Sequence, residues 1–197
     1  KGDRIAIFMS NRTEYLEVIY GIWFAGAVAV PINAKLHAKE AAWIIENAEA
    51  KIAFVSTDVG EALDILAPVC VEAIVYAGSP DYVKLRKSTA MWRPAAIYED
   101  DLLWLFYTSG TTGRPKGVMI SAGNISAMAL SYFSDVDEVS SEDAILYAAP
   151  MSHGAGIYNF MHVIKGARHV VPRSHGFDAD EILILAPKIK NISMFAA

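Results

Sequence analysis

The strongest constraint on the fold is the alternation of short apolar runs with helix-patterned segments over the first hundred residues. The apolar runs cover residues 5–9, 27–30, 52–55 and 73–76, and none of them alternates polar with apolar side chains. Strands of this kind are buried on both faces, which is typical of parallel sheets. Strands that alternate with helices along the chain indicate an α/β architecture. We therefore expect an α/β fold with largely parallel sheets flanked by helices.

The first helix has a clear start and a clear apolar face. Asn11 is expected to cap it, with Glu14 three positions later as the capping-box partner. Gly26 is expected to stop it. Further helices are expected at about 38–48 and 61–66. The apolar positions of the first helix fall on one face, namely Tyr15, Val18, Ile19, Ile22 and Trp23.

The pattern weakens between residues 79 and 101, where two prolines and a cluster of charges occur. We interpret 79–101 as an irregular connection between a first α/β segment, about 1–78, and a second segment, 102–197. The last residues are apolar and have no polar tail, so the sequence is expected to be a truncated piece of a longer protein.

Composition excludes several classes of protein. Of the 197 residues, 54% are hydrophobic, which is enough for a large core and argues against disorder. The formal net charge of −5 argues against a nucleic-acid-binding surface. The longest apolar stretch, 18–32, is too short and too interrupted for a transmembrane segment. The single cysteine, Cys70, cannot form an internal disulfide, so a cytoplasmic protein is expected. A homodimer is left open.

The segment 107–121 carries the most functional information. It reads Tyr-Thr-Ser-Gly-Thr-Thr-Gly-Arg-Pro-Lys-Gly-Val-Met-Ile-Ser. Glycines let backbone N–H groups approach an anion, hydroxyls donate to phosphate oxygens, and lysine supplies a mobile positive charge. Such a loop suits a polyphosphate. The candidate ligand-binding residues are Thr108, Ser109, Gly110, Thr111, Thr112, Gly113 and Lys116.

The spacing differs from that of a Walker A loop. Only two residues separate Gly110 from Gly113, and Gly117 rather than a hydroxyl residue follows Lys116. Apolar runs on both sides predict a strand before the loop and another after it. We therefore expect a Gly-rich loop that joins two strands, which disfavours a P-loop kinase. The alternative to a phosphate-binding loop is a flexible Ser/Thr/Gly hairpin loop that binds no ligand.

Residues 108–117 resemble the phosphate-loop signature of the adenylate-forming superfamily, which includes acyl-CoA synthetases, luciferases and adenylation domains. The resemblance implies part of a large N-terminal domain and two half-reactions: ATP and a carboxylic acid give an acyl-adenylate, and coenzyme A then displaces AMP. It implies that the loop and Lys116 hold the phosphates with Mg²⁺, with Thr108 near the metal. Lys116 would thereby act in catalysis.

A second segment, 150–156, is similar to the superfamily's Pro-x-x-His-x-x-Gly motif. It follows an apolar run, so His153 should lie just past the end of a strand, where α/β sheets place ligands. The resemblance implies that His153 lines the acyl-adenylate pocket and gates access for the carboxylate or the thiol. Ser152 and Gly154 depart from the aromatic and aliphatic residues that many relatives carry.

The identity of the acid rests on side chains beyond His153. The residues that could line an apolar tunnel are Ile157, Tyr158, Phe160, Met161 and Phe177. A fatty acid is the first choice, and an aryl or cinnamate-like acid is the second. The same residues could equally be plain core.

Several parts expected by resemblance are absent from the sequence: the Tyr-Gly-x-Thr-Glu and Thr-Gly-Asp segments, the hinge, and the C-terminal lid domain with its lysine. Residues 1–197 alone are therefore expected to be inactive. Two rival functions follow: a carrier-protein adenylation domain, and a non-catalytic nucleotide-binding module.

Overall fold

The larger of two sheets contains six strands, and only its last pair is antiparallel. The computed structural model describes residues 1–66, 68–108 and 114–195. The strand order is β4-β3-β1-β2-β5-β6, with every neighbouring pair parallel except β5 and β6. Strands β1 to β6 comprise Arg4–Met9, Val28–Asn33, Ile52–Val55, Ala73–Tyr76, Leu102–Thr108 and Lys116–Ser121. The expectation of a largely parallel α/β fold is confirmed.

Helices connect the parallel strands of this sheet, and local capping explains where two of them begin. His37 caps α2 and forms a capping box with Glu40. Ser79 caps α4, whose first turn contains Pro80. Helices α1 to α4 comprise Glu14–Phe24, Ala38–Asn47, Thr57–Leu66 and Pro80–Arg86.

Two sequence expectations about these helices need correction. The helix expected at 61–66 begins at Thr57, four residues earlier. The segment 79–101 was expected to be irregular, yet it opens with α4; only the residues after Arg86 lack regular structure as far as β5. Pro80 stands at the first turn of α4, where its missing N–H costs no hydrogen bond.

The prediction that Asn11 caps the first helix is wrong. Helix α1 begins at Glu14, three residues later, so Asn11 lies outside the capping position. Its side chain instead bonds to backbone groups more than a hundred residues further along the chain. The capping pattern depends only on nearby residues, whereas the Asn11 side chain is used in long-range hydrogen bonds.

The second sheet has three short parallel strands in the order β8-β7-β9. The strands β7, β8 and β9 comprise Ala144–Leu146, Arg168–Val170 and Ile192–Met194. Ser121 and Asn124 exchange hydrogen bonds at the start of α5, as expected for a cap. Helices α5 to α8 comprise Ala122–Asp135, Gly154–Ile157, Asn159–Lys165 and Ala179–Leu185, and Ala186–Lys188 form a short 3₁₀ helix.

The contacts divide the chain into two compact units. The first comprises Lys1–Ser10 and Glu14–Asn124 and contains the six-stranded sheet; the second comprises Asn11–Thr13 and the chain from Ile125 onward. Residues 79–101 stay in the first unit, so this division falls later than the connection expected from sequence. Among the helices of the described residues, none is both long and apolar enough to cross a membrane.

The core of the first unit lies between its sheet and helices α2 and α3. Val30 and Ala53 on the sheet, Ile45 on α2 and Leu63 on α3 are fully buried. These apolar side chains are removed from water when α2 and α3 cover this face of the sheet, and such burial is the main driving force for folding. Strands β5 and β6, which flank the predicted phosphate loop, form one edge of this sheet.

Candidate functional site

The β5–β6 hairpin brings two of the predicted phosphate-binding residues together. Thr108 ends β5, Lys116 begins β6, and the two are directly paired in the antiparallel register. Directly paired residues project from the same face of a sheet, so the Thr108 hydroxyl and the Lys116 ammonium share one face at the neck of the loop. Lys116 is exposed, and its amine is accessible to an anion. The strand–loop–strand arrangement predicted from sequence is confirmed at both strands.

The central residues of the predicted phosphate loop lie outside the part of the chain that the structure describes. They are Ser109, Gly110, Thr111, Thr112 and Gly113. Their predicted contacts with phosphate therefore stay predictions.

Tyr107 anchors the neck of the hairpin to helix α2. Its hydroxyl donates to Asn47 Oδ1 at 2.7 Å, and burial raises the pKa of the phenol. Its ring packs against Gly117 so closely that an added Cβ there would lie 3.0 Å from Tyr107 Cζ. The glycine after Lys116 therefore lets an aromatic ring lie over the strand. This packing fixes the positions of Thr108 and Lys116 beside it.

Thr108 is the predicted metal-binding residue, and its chemistry is compatible with magnesium. Mg²⁺ prefers oxygen ligands and retains waters and phosphate oxygens in its shell. Among the described residues, no group of three or more His, Cys, Asp or Glu side chains could hold a metal ion. A hydroxyl oxygen at the loop neck is a donor of the type that Mg²⁺ accepts. Metal binding by Thr108 stays a prediction.

His153 occupies a turn in the second unit, between β7 and α6. Its backbone N–H donates to Pro150 O at 3.1 Å, and its carbonyl accepts from Gly156 N at 2.9 Å. Its Nδ1 lies 3.2 Å from Ser152 Oγ. Burial lowers the pKa of the half-buried imidazole, while a hydrogen bond with the backbone of Ser152 opposes this more weakly. The ring is therefore neutral at pH 7, suited to hydrogen bonding rather than to pairing with phosphate charge.

Gly156 has a steric reason to be glycine. A Cβ built on it would lie 1.8 Å from the carbonyl oxygen of Met151. The start of α6 therefore packs directly on the backbone of the preceding loop. This close approach fixes the turn from its C-terminal side and explains the glycine three positions after His153.

Asn11 fixes the same loop from the other side, and sequence reasoning missed this role. Its Nδ2 donates to Tyr147 O at 3.0 Å and to Ala149 O at 2.7 Å. Its Oδ1 accepts from Met151 N at 2.8 Å. The residue is 5% exposed. The available signal was an asparagine just before a helix, which is equally typical of a cap.

A cavity of about 480 Å³ opens beside the His153 turn within the second unit. Tyr158 packs between two other aromatic rings there, with its ring centroid 5.7 Å from Tyr132 and 5.4 Å from Phe195. Gly154 leaves room for the Phe195 ring, since an added Cβ would lie 2.8 Å from Cζ. The lining residues are Met128, Ser131, Tyr132, Asp135, Val136, Gly154, Ile157, Tyr158, Met161 and Phe195.

The cavity includes some of the residues expected to line an apolar tunnel and not others. Ile157, Tyr158 and Met161 line it, as expected. Phe160 is buried in the core instead, and Phe177 is 70% exposed and does not contribute. A second cavity of about 440 Å³ shares Tyr132, Val136, Tyr158 and Phe195 with the first and adds His162 and Ser193. The two cavities adjoin, so they form one recess.

Comparison with known proteins assigns the chain to a family. A sequence model of AMP-binding enzymes matches residues 1–196. The chain belongs to the AMP-binding enzyme family. It is 35% identical over 161 residues to the long-chain-fatty-acid–CoA ligase FadD13 of Mycobacterium tuberculosis (strain CDC 1551 / Oshkosh), a match covering 80% of this chain and 32% of that protein.

Solved structures agree with this assignment. The inhibitor-bound N-terminal domain of FACL13 from Mycobacterium tuberculosis matches with a TM-score of 0.83 at 32% identity, covering 95% of this chain and 48% of that one. O-succinylbenzoate coenzyme A synthetase from Bacillus subtilis, in complex with ATP and magnesium ion, matches with a TM-score of 0.80 at 25% identity, covering 98% and 50%. The chain spans about a third of the length of the curated relatives it matches.

The second unit also contains a partly buried histidine, His169, that should respond to pH. The Tyr147 hydroxyl lies 2.7 Å from His169 Nδ1, and the rings of His169 and His162 are 6.3 Å apart. Burial, and secondarily the charge of His162, lower the pKa of His169 to about 4. Below pH 6.5 the unfolded chain therefore binds a proton that the folded chain does not, so stability falls as pH falls from about 6.5 to 4.

We expect the variant His169→Phe to lose part of this pH dependence. His169 is only partly buried, so solvent screening reduces the effect of the shift. Between pH 7 and pH 5 we therefore expect the histidine to cost the wild type roughly 1 kcal/mol of unfolding free energy. Thermal unfolding at the two pH values measures this. The wild type should lose more of its Tm than the variant, and equal losses would contradict the assignment.

Proposed function

We propose that the full-length protein is an AMP-forming acid–thiol ligase. A carboxylate is a poor electrophile, so it must be activated before a thioester can form. The carboxylate would attack the α-phosphorus of ATP, giving an acyl-adenylate and pyrophosphate; the thiol of coenzyme A would then attack the acyl carbon and release AMP. The observation that carries the proposal is the hairpin neck, where Thr108 and Lys116 share one face in a chain of this family.

The hairpin would bind the β- and γ-phosphates of ATP. Lys116 would balance the negative charge that develops on the departing pyrophosphate, and the hydroxyls and amides of residues 108–113 would donate to its oxygens. Magnesium would supply further charge neutralisation, with Thr108 as a candidate ligand. The related synthetase that was solved with ATP and magnesium supports this choice of cofactors.

His153 would line the acyl-adenylate pocket and gate the carboxylate or the thiol. Its neutral ring supports this role, because an imidazolium would pair with phosphate rather than yield to an incoming group. The turn that carries it is held on both sides, by Asn11 and by the packing at Gly156. A rigid support of this kind is what a positioned catalytic side chain needs.

The acid would be a fatty acid, with an aryl or cinnamate-like acid as the alternative. The apolar and aromatic lining of the cavity beside the His153 turn supports a hydrophobic acyl group. A relative named as a long-chain-fatty-acid–CoA ligase supports the first choice, and one named as an O-succinylbenzoate coenzyme A synthetase supports the second.

The proposal is tested by assaying the full-length protein with a panel of carboxylic acids. Acid-dependent exchange of pyrophosphate into ATP would establish adenylation, and free acyl-CoA would establish the ligase. A carrier-protein adenylation domain would give the exchange without free acyl-CoA. A non-catalytic nucleotide-binding protein would give neither. Residues 1–197 alone are expected to be inactive, and turnover by them would contradict that expectation.

A cytoplasmic location is proposed from the use of a single cysteine.

The variant Ile157→Trp should shorten the acids that the full-length protein accepts. Ile157 lines the cavity and is half-buried, so the larger ring would occupy space instead of entering the core. Excluding two methylene groups from the cavity should raise KM for palmitate by about tenfold, at roughly 0.8 kcal/mol each. Hexanoate should be unaffected.

The volume-conserving variant Ile157→Leu is the matched control and should keep the wild-type preference. Steady-state kinetics with the two acids measures the effect. A tenfold change for both acids, or for neither, would show that the acyl chain does not use this cavity.

A further inference from the structure

The Asn11 side chain reaches the backbone that leads into the His153 turn from a distant part of the sequence. It follows β1 by two residues, yet its contacts place Asn11–Thr13 in the second unit. All three of its side-chain partners are backbone groups of residues 147–151, between the end of β7 and the His153 turn.

The three hydrogen bonds use the full chemistry of a primary amide. Both Nδ2 hydrogens donate to carbonyls, those of Tyr147 and Ala149, while Oδ1 accepts the Met151 N–H. An aspartate would offer no donor and would face two carbonyl oxygens with a negative charge. An alanine would leave all three buried groups without this partner. Only an amide of this length satisfies the two carbonyl acceptors and the one N–H donor of the loop.

The backbone that Asn11 holds lies just past the end of β7, where one further hydrogen bond, from Tyr147 N to Val170 O at 2.9 Å, still joins it to β8. Strand β7 ends at Leu146, so the Tyr147–Met151 loop lies past the parallel ladder. The amide supplies hydrogen bonds that a neighbouring strand would otherwise supply. It thereby fixes alternate residues of an extended loop that leads directly into the turn at Pro150.

The loop geometry is passed on to the imidazole through the turn. His153 N donates to Pro150 O at 3.1 Å, so the backbone of His153 is tied to a residue between two of the Asn11 contacts. His175 Nδ1 lies 2.6 Å from Asn11 O and donates to it, because a carbonyl can only accept. The hydrogen bond from His175 therefore holds the backbone of Asn11 in place.

We propose that Asn11 is a positioning residue that sets the location of His153 in the acid-activating step. This inference rests on the proposed function. Asn11 touches neither substrate nor phosphate in this role; it acts through the loop. A displacement of about 1 Å at a reacting centre can cost about a hundredfold in rate.

The variant Asn11→Asp in the full-length protein tests the role. We expect kcat/KM for the acid in pyrophosphate exchange to fall about 10- to 100-fold. The KM for ATP should stay within about twofold, because the hairpin of the first unit is proposed to bind the phosphates. The control Asn124→Asp keeps the side-chain oxygen that accepts from Ser121 N, so it should leave kcat/KM for the acid and KM for ATP unchanged.

A double-mutant cycle with His153→Ala separates positioning from general destabilisation. If Asn11 acts through the imidazole, Asn11→Asp should cost less than about threefold once the imidazole is absent. Fully additive losses, or a parallel rise in the KM for ATP, would overturn the inference. A wild-type protein without acid-dependent exchange would instead overturn the proposed function, so the two failures are distinguishable.

The exposed His175 provides a second route if Asn11→Asp does not fold. His175 has a left-handed backbone (φ 57°), which asparagine also tolerates, so His175→Asn removes the contact with Asn11 O without new strain. We expect the same signature at about 3- to 10-fold, again confined to the acid. Wild-type kinetics for this folded variant would overturn the inference.

Discussion

The variant Lys116→Ala in the full-length protein should lose about 30- to 1,000-fold in kcat while remaining folded. Removing one well-aimed electrostatic donor typically costs about 2–4 kcal/mol of barrier. The side chain is exposed at the first residue of β6, so its removal leaves no cavity in the core. Thr111→Ala is expected to act in the same direction, through the loss of a hydroxyl that is proposed to bind phosphate. Rates of acid-dependent pyrophosphate exchange measure both.

The variant Lys39→Ala is the matched control for Lys116. It removes another exposed lysine of the first unit, on α2, where alanine favours the helix. Its activity should equal that of the wild type, and circular dichroism should show both variants folded. If Lys116→Ala turned over at the wild-type rate, the hairpin would not be the site that stabilises the departing pyrophosphate.

The variant Gly156→Ala should destabilise the protein by about 3 kcal/mol or more. The added methyl group would lie 1.8 Å from the carbonyl oxygen of Met151, far inside van der Waals contact, and both partners are backbone. Relief requires the helix or the loop to move, which would also displace His153. Urea unfolding should show a lower midpoint, and acid-dependent activity should fall with it.

The opposite result is expected for Gly21→Ala, the matched control. Gly21 lies inside α1, and an added Cβ would meet nothing within 4 Å. Replacing an unstrained helical glycine by alanine should stabilise the protein by roughly 0.5–1 kcal/mol. Equal effects of the two substitutions on the urea midpoint would show that the contact at Met151 is not what requires glycine.

The parallel sheet could be predicted because burial on both faces is visible in the sequence. Continuous apolar runs such as residues 5–9 and 52–55 have no polar side to turn outward, so only a covered strand suits them. The hairpin at Thr108 and Lys116 was predictable for a similar reason: glycines and hydroxyls stood between two apolar runs. In both cases the determining residues are neighbours in sequence.

The support of the His153 turn could not be predicted, because its partners are backbone groups. Asn11 binds residues separated from it by 136, 138 and 140 positions, and a backbone carbonyl leaves no mark on the identity of the residue that carries it. The same residue matched a helix-cap pattern, which is local and was therefore preferred. Tertiary hydrogen bonding outweighed that local preference.

The cavity could be predicted only in part. Ile157 and Met161 were identified from their proximity to His153 along one helical segment. Phe195 lines the cavity without having been expected, and Phe177, which was expected, is exposed and does not line it. The direction in which a short strand or a loop residue points depends on the elements packed around it. Periodicity describes one element at a time and carries no information about which neighbours it meets.

The membership of residues 11–13 in the second unit bears on how the polypeptide can be synthesised and dissected. A loop closure spanning 140 residues carries an entropic cost that short-range contacts do not, so the ordering of this region should come late in folding. A recombinant fragment that starts at Ile125 would lack Asn11, so residues 147–151 would lose the three hydrogen bonds that its side chain makes. A protein designed to contain the second unit alone must therefore include residues 11–13 as well as the chain from Ile125 onward.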